Sequence, residues 1–241
     1  FVYFTSWSLD RENGRRKVFL LLASWFFYAQ WDWRFVGLLI LSAVLNWGVA
    51  ALIARNDSSA QRKWLVALGV LVNLLILGFF KYYGFFIEQM ADLLTRVGWE
   101  RDLPLLQVVL PVGISFFTFQ GISYVVDVNR RTTEPANSLL DVMLLMSFFP
   151  QLVAGPIIRA SDLLPQFAKS PRLTREAATL GLLLIVWGLF KKTILASELS
   201  VNLVDPVFFD PSAYGAFDIA AAVYGYAVQI YCDFSAYSDM A

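Results

Sequence analysis

Leu110-Pro111-Val112-Gly113-Ile114-Ser115-Phe116-Phe117-Thr118-Phe119-Gln120 is the stretch that decides the fold. It is an apolar run, broken by Pro111 and Gly113 and lined with two hydroxyls and a glutamine. In hydrocarbon, backbone groups freed by such a break must find partners. The break is therefore tolerated only against protein or a wet cavity. The chain around it reads as apolar helix, so the stretch predicts a membrane-spanning protein that encloses something.

Composition agrees. Of 241 residues, 58% are hydrophobic and only 16% charged, against about 25% charged in soluble domains. The 21 Phe, 10 Tyr and 8 Trp suit rings seated at bilayer interfaces. Net charge is zero, with none of the basic clustering a nucleic-acid partner needs. The single Cys232 excludes an internal disulfide and a thiolate metal cluster. The absence of histidine removes a Ser-His-Asp triad, a histidine base and histidine metal ligands. No metal site and no bound cofactor are expected. The chain opens on Phe1 rather than Met and ends just after a polar motif. Both ends are expected to be cuts in a longer chain, with the first four residues the tail of an earlier helix.

A spanning helix needs about 20 mostly apolar residues. Segments 35–54, 64–87, 103–126, 139–158, 177–195 and 213–232 meet that length, and 18–31 reads as a shorter, partial span. Trp31-Asp32-Trp33-Arg34 is the expected turn between 18–31 and 35–54, an aromatic interface anchor. No internal repeat or linker divides the sequence, so residues 1–241 are expected to form one membrane domain. Asn46 and Asn73 lie inside spans and are expected to hydrogen-bond between helices.

Arg and Lys distribution orients the chain. The loop 8–17 carries Arg11, Arg15, Arg16 and Lys17; the next rich loop carries Arg55, Arg62 and Lys63; 127–138 carries Arg130 and Arg131. These alternate with poorer loops and are expected to be cytoplasmic. The loop 159–175 carries Arg159, Lys169, Arg172 and Arg175, and simple alternation would place it outside. The conflict disappears if 139–158 enters and leaves on one side. Pro150 and Gly155-Pro156 are breaks a straight helix would not carry. A re-entrant segment is expected there.

Three constellations could carry chemistry. Asp233, Ser235, Tyr237, Ser238 and Asp239 form the densest polar cluster and follow a span directly. They read either as an exposed loop or as the polar lining of a buried cavity. Gln151, Gly155, Pro156 and Arg159 flank the second break. They read either as satisfying a broken helix or as a cytoplasmic mouth that admits an acyl donor. Lys191-Lys192 could hold an anion, although lysines snorkelling to an interface are the simpler reading.

Five ordered motifs then stand together: Leu21-Leu22-Ala23-Ser24-Trp25-Phe26-Phe27-Tyr28-Ala29; Leu77-Gly78-Phe79-Phe80-Lys81-Tyr82; the opening stretch continued to Ser123-Tyr124-Val125-Val126-Asp127; Phe148-Phe149-Pro150-Gln151-Leu152-Val153-Ala154-Gly155-Pro156-Ile157-Ile158-Arg159; and Asp233-Phe234-Ser235-Ala236-Tyr237-Ser238-Asp239-Met240-Ala241. Together they resemble the membrane-bound O-acyltransferase (MBOAT) superfamily, in its bacterial alginate O-acetyltransferase branch. Asn129 stands where that family often has Tyr, and Ala236 where it often has Gly.

The resemblance implies an all-α, multi-helix membrane bundle with a re-entrant segment, lacking here its C-terminal part. It implies a multi-pass protein of the bacterial cytoplasmic (inner) membrane that passes an acetyl group to an exported polysaccharide such as alginate. The donor would be acetyl-CoA or another cytoplasmic acyl carrier. The partners would be the lipid bilayer and the polysaccharide, or an acyl-accepting periplasmic or extracellular protein. The family's catalytic histidine falls beyond Ala241, so this piece alone is expected to be inactive. D-alanyl transfer to teichoic acid is the nearest rival. A transporter or flippase and a non-catalytic membrane scaffold are the rivals of other classes; the missing inverted repeat counts against transport.

Overall fold

The computed structural model describes residues 1–9, 13–97, 109–152, 155–169 and 174–240. Their contacts form two compact units, Phe1–Val153 with Ile157–Pro171, and Ala154–Pro156 with Arg172–Ala241. All the regular structure among the described residues is helical.

The first unit begins with α1 (Val2–Ser8), α2 (Asn13–Asp32), α3 (Arg34–Arg55) and α4 (Ser59–Arg96). The segment 18–31 is thus part of a full 20-residue helix. It was masked in the sequence by the charged start at Arg15, Arg16 and Lys17. Trp33 alone separates α2 from α3. There the Arg34 guanidinium and backbone N–H both donate to Asp32, and these bonds hold the partly exposed Asp32 carboxyl below its ordinary range. Along α3, Phe35, Leu39, Ser42, Ala43, Asn46, Ala50 and Ile53 are buried, the three-to-four-residue stripe of a helix packed on one side. α4 has 38 residues, about 57 Å at 1.5 Å each. That exceeds the roughly 30 Å hydrocarbon core, and segment 64–87 is its apolar middle.

α5 is Ile114–Arg130. The expected span 103–126 is therefore shortened: residues 103–108 lie outside the described residues, and the helix begins only after Gly113. Gly113 sits at φ 73°, a left-handed conformation glycine adopts without steric cost. The Tyr28 hydroxyl donates to the Val112 carbonyl at 2.8 Å, satisfying backbone freed by the break. α3, α4 and α5 pack together around one polar pair. Asn46 and Asn73 exchange amide hydrogen bonds of 3.2 and 2.9 Å, as their sequence context predicts. Gly121 lies against that pair; a Cβ there would sit 2.5 Å from the Asn46 amide nitrogen.

The segment after α5 is re-entrant. It comprises α6 (Leu139–Ser147), α7 (Phe149–Leu152) and α8 (Ala160–Ala168). α6 climbs beside α2. Lys17 pairs with Asp141 at 2.6 Å near its start, and the Trp25 indole donates to the Ser147 hydroxyl at its end. The Ser24 hydroxyl then accepts the Phe149 N–H. From Lys17 to Trp25 is eight residues, about 12 Å of rise, less than half a bilayer's hydrocarbon. The chain then turns back. The Gln120 amide donates to Ile158 O, and Arg16 donates to Lys169 O at 3.0 Å. Two consecutive residues of α2 thus hold both ends of the segment. The Arg62 guanidinium donates to Asn129 O in turn. Parts of all four Lys/Arg-rich loops are therefore joined at one end of this unit, the arrangement the charge pattern demands. Arg11 and Arg172 lie outside the described residues.

In the second unit α9 (Arg175–Phe190) runs into a π-helical stretch (Lys191–Ala196), α10 (Ser197–Leu199), a second π stretch (Ser200–Val204) and α11 (Asp205–Phe209). Together they make one 35-residue helix. The sequence reading ended it at 195. Pro206 lies within it as the second residue of α11, directly after the second π stretch. A short 3-10 turn, Pro211–Ala213, leads to α12 (Ala216–Met240). Three helices, Arg34–Arg55, Ser59–Arg96 and Arg175–Phe209, are long and apolar enough to cross a membrane, which makes this a membrane protein. α12 is long enough at 25 residues, but its aspartates and tyrosines dilute its hydropathy.

Candidate functional site

The re-entrant tip carries Gln151. Its side chain is 6% exposed, and its amide donates to Leu145 O at 3.0 Å. Its Oε1 is buried without a partner, an unusual state, because buried polar atoms are nearly always paired. Gly155 is buried and Arg159 exposed, on either side of the partly exposed Pro156. Arg159 stands immediately before α8, and Ala154 lies outside the described residues. α6 and α8 thus stand as a pair, and Gln151 Oε1 is an unsatisfied acceptor just after the first break.

The second polar cluster departs from the loop reading of the sequence. Asp233, Ser235, Tyr237, Ser238 and Asp239 do not form a loop after a span; they continue α12 through Met240. Their charges are matched across to the long helix of the same unit. Lys191 pairs with Asp239 at 2.5 Å and donates to the Ser235 hydroxyl at 2.9 Å. Lys192 pairs with Asp233 at 2.6 Å and lies over the Tyr237 ring at 5.3 Å. Lys191 is only 8% exposed, so it is not snorkelling. The Ser238 hydroxyl turns back to Phe234 O.

A local feature makes this geometry possible. A Cβ on Gly188 would fall 2.8 Å from Ala236 O and 2.7 Å from the Met240 side chain. Glycine therefore lets the two helices touch, and one turn later Lys191 and Lys192 meet their carboxylates. The adjoining π-helical stretch is a form often found at functional sites. The sequence signal for these pairs was two lysines facing two aspartates on neighbouring apolar segments. The partners are more than 40 positions apart, a separation that local pattern does not bridge.

The aspartates of the second cluster are paired with lysines, and the chain has no histidine. What the arrangement offers is a fixed charged face on α12 and a hairpin of broken helix with an open acceptor.

No family model matches the chain. Curated proteins do. The chain is 37% identical over 230 residues to the probable alginate O-acetylase AlgI of Pseudomonas aeruginosa, covering 94% of this chain and 43% of that protein. It is 38% identical over 231 residues to the Azotobacter vinelandii protein of the same name, covering 94% and 45%. It is 34% identical over 251 residues to the peptidoglycan O-acetyltransferase of Helicobacter pylori, covering 93% and 46%. The chain spans less than half the length of these relatives.

Proposed function

We propose that this chain, which belongs to the membrane-bound O-acyltransferase superfamily, forms part of an enzyme that moves an acetyl group onto hydroxyls of an exported polysaccharide. The observation that carries this reading is the likeness along 93–94% of the chain to proteins named as alginate and peptidoglycan O-acetylating enzymes. Those two polymers differ, and what they share is a sugar hydroxyl beyond the cytoplasm. The donor is a cytoplasmic acetyl thioester, acetyl-CoA or an acyl carrier, and the membrane is the bacterial inner membrane.

Transfer to a hydroxyl needs a base for its proton and donors for the developing oxyanion. In this reading the base is a histidine supplied by sequence outside this chain. Gln151, Gly155, Pro156 and Arg159 serve the donor's entrance. Asp233, Ser235, Tyr237, Ser238 and Asp239 shape and position the transfer site and do not attack. A carboxylate nucleophile would form a mixed anhydride, a harder step than direct transfer.

The test uses the full-length protein in vesicles, with labelled acetyl-CoA or an acetyl-loaded carrier on one side and polysaccharide on the other. Label should reach the polysaccharide only when both are present. Residues 1–241 alone should transfer none, and transfer by that piece would overturn the assignment of the base. Cysteine labelling at Ser138 and Lys169, in a Cys232→Ser background, should place both on the donor side. Labelling on opposite faces would replace the re-entrant segment by a span.

A further inference from the structure

The two ion pairs between the long helix of the second unit and α12 are not equivalent. Cys232 and Ala236, 5% and 0% exposed, form the buried seam of α12, and Gly188 abuts it. At 3.6 residues per turn, Ser235 and Asp239 fall on one side of that seam and Asp233 and Tyr237 on the other. Consecutive residues lie about 100° apart around a helix, so Lys191 and Lys192 straddle the contact. Lys191 serves the first side. Its ammonium meets both Asp239 and the Ser235 hydroxyl, and its side chain is 10% exposed. Lys192 serves the second, with its side chain 39% exposed and that of Asp233 30%. Its ammonium also stands over the exposed Tyr237 ring.

Lys192 is also the middle residue of the 35-residue helix Arg175–Phe209, with about 25 Å of helix to either end. A charge in the middle of an apolar helix is costly in lipid, and a half-exposed ion pair returns little stability. Stability thus accounts for Lys191 and not for Lys192. An external anion does not account for it either, because Asp233 already occupies the ammonium. What remains is the effect of Lys192 on Asp233. It holds Oδ1 at 2.6 Å, while Oδ2 has no hydrogen-bond partner among the described residues. Rotation of a carboxylate about its last bond is broad. With one oxygen fixed by the lysine, the other is presented in a single direction.

We propose that Lys192 is a positioning residue of the transfer site. It acts through Asp233, fixing the carboxylate so that Oδ2 faces the reacting groups, while the Tyr237 ring covers one face of the ammonium. Lys191, on the closed side of the seam, is the anchor that keeps α12 in register. The proposal rests on the acetyl-transfer reading, in which Asp233 positions the site, and adds to it the lysine on which Asp233 depends.

The experiment uses the full-length protein in vesicles, with labelled acetyl-CoA or an acetyl-loaded carrier as donor and unacetylated alginate or peptidoglycan strands as acceptor. Thermal unfolding is measured on the same preparations. Lys192→Met should cut kcat about tenfold, the scale of a lost charged hydrogen bond, while KM for donor and acceptor and the Tm hold. Lys192→Arg should restore most of kcat, because a guanidinium can still hold one carboxylate oxygen. Lys191→Met should instead lower Tm. In an Asp233→Asn background, Lys192→Met should cost almost nothing further, since residues that act through one another are not additive. Wild-type kcat in Lys192→Met, a rise in KM instead, or losses that multiply in the double variant would each overturn the proposal and leave the acetyl-transfer reading intact. So would a Lys192→Met protein that fails to fold, or that loses as much Tm as Lys191→Met, because the pair would then be structural. If the wild-type protein acetylates neither polymer from either donor, the transfer reading itself fails and the proposal with it.

Discussion

The Asn46–Asn73 pair in the first unit and the Lys191–Asp239 pair in the second join apolar helices in contrasting ways. The amides are 1% and 4% exposed and exchange hydrogen bonds. The ion pair keeps contact with its surroundings, with side chains 10% and 26% exposed, and adds a serine to satisfy the ammonium. A neutral amide pair can be closed off completely because each partner meets the other's need. A charge carries a desolvation cost that one partner offsets only in part. Charged groups in an apolar helix pair are therefore expected beside water, a headgroup or a polar cavity. The contrast suggests that the first junction is structural and that the second borders a wet site.

The largest effect should come from unpairing the ions. Lys191→Met leaves Asp239 charged and alone. Breaking a buried pair this way costs about 3–5 kcal/mol, and the exposure of Asp239 points to the low end. Thermal unfolding of the full-length protein in detergent should register that loss, and Lys191→Met with Asp239→Leu should recover most of it. In the proposed acetyl transfer, Asp239→Asn and Asp233→Asn should each cut activity about tenfold or more, since a lost charged hydrogen bond is worth roughly 1.5–3 kcal/mol. If both leave specific activity at wild type, the second junction is structural like the first and the contrast collapses.

Gly121→Val attacks the sealed junction from outside. With a Cβ only 2.5 Å from the Asn46 nitrogen, the amides must move apart or the helices must part. Overpacking of this kind costs about 1–3 kcal/mol. Unchanged stability would mean that α5 packs more loosely on α3 than the contact requires.

Removing the amides themselves should matter less. Hydrogen bonds between membrane helices average about 0.6 kcal/mol and reach about 1.7. Asn46→Leu strands Asn73, and the double change to leucine should recover stability beyond the single one. A double variant worse than either single would show that the amides do more than bond each other.

Much of this was legible before the structure. Pro111 and Gly113 marked a break in an apolar segment, and the charge conflict around 159–175 forced a re-entrant path that the Lys17–Asp141 and Arg16–Lys169 contacts then close. Asn46 and Asn73 were legible because a polar side chain within a span needs a partner in another helix. Other features depend on long-range proximity, which local pattern does not encode. Lys191 and Lys192 looked like interfacial lysines until α12 brought their carboxylates alongside. The same pairing explains why α12 continues through 233–240, where polarity alone suggested a loop.

The smallest effect is expected at Asp32–Arg34, which supplies the control for the comparison. This pair is geometrically as good as the buried one, with a 2.6 Å contact, yet the Arg34 side chain is 65% exposed. Exposed pairs gain little and are screened by salt. Because hydrogen bonds from Arg34 lower the Asp32 pKa, its contribution is present above the ordinary carboxylate range and is lost as pH falls through the lowered value. Asp32→Asn should therefore barely change unfolding at neutral pH. Any gap from wild type should close on acidification and in high salt. A shift as large as that of Lys191→Met would mean that ion-pair geometry, not desolvation, separates the two junctions. A shift near zero leaves burial as the variable, and with it the reason to look for water or substrate beside Asp233 and Asp239.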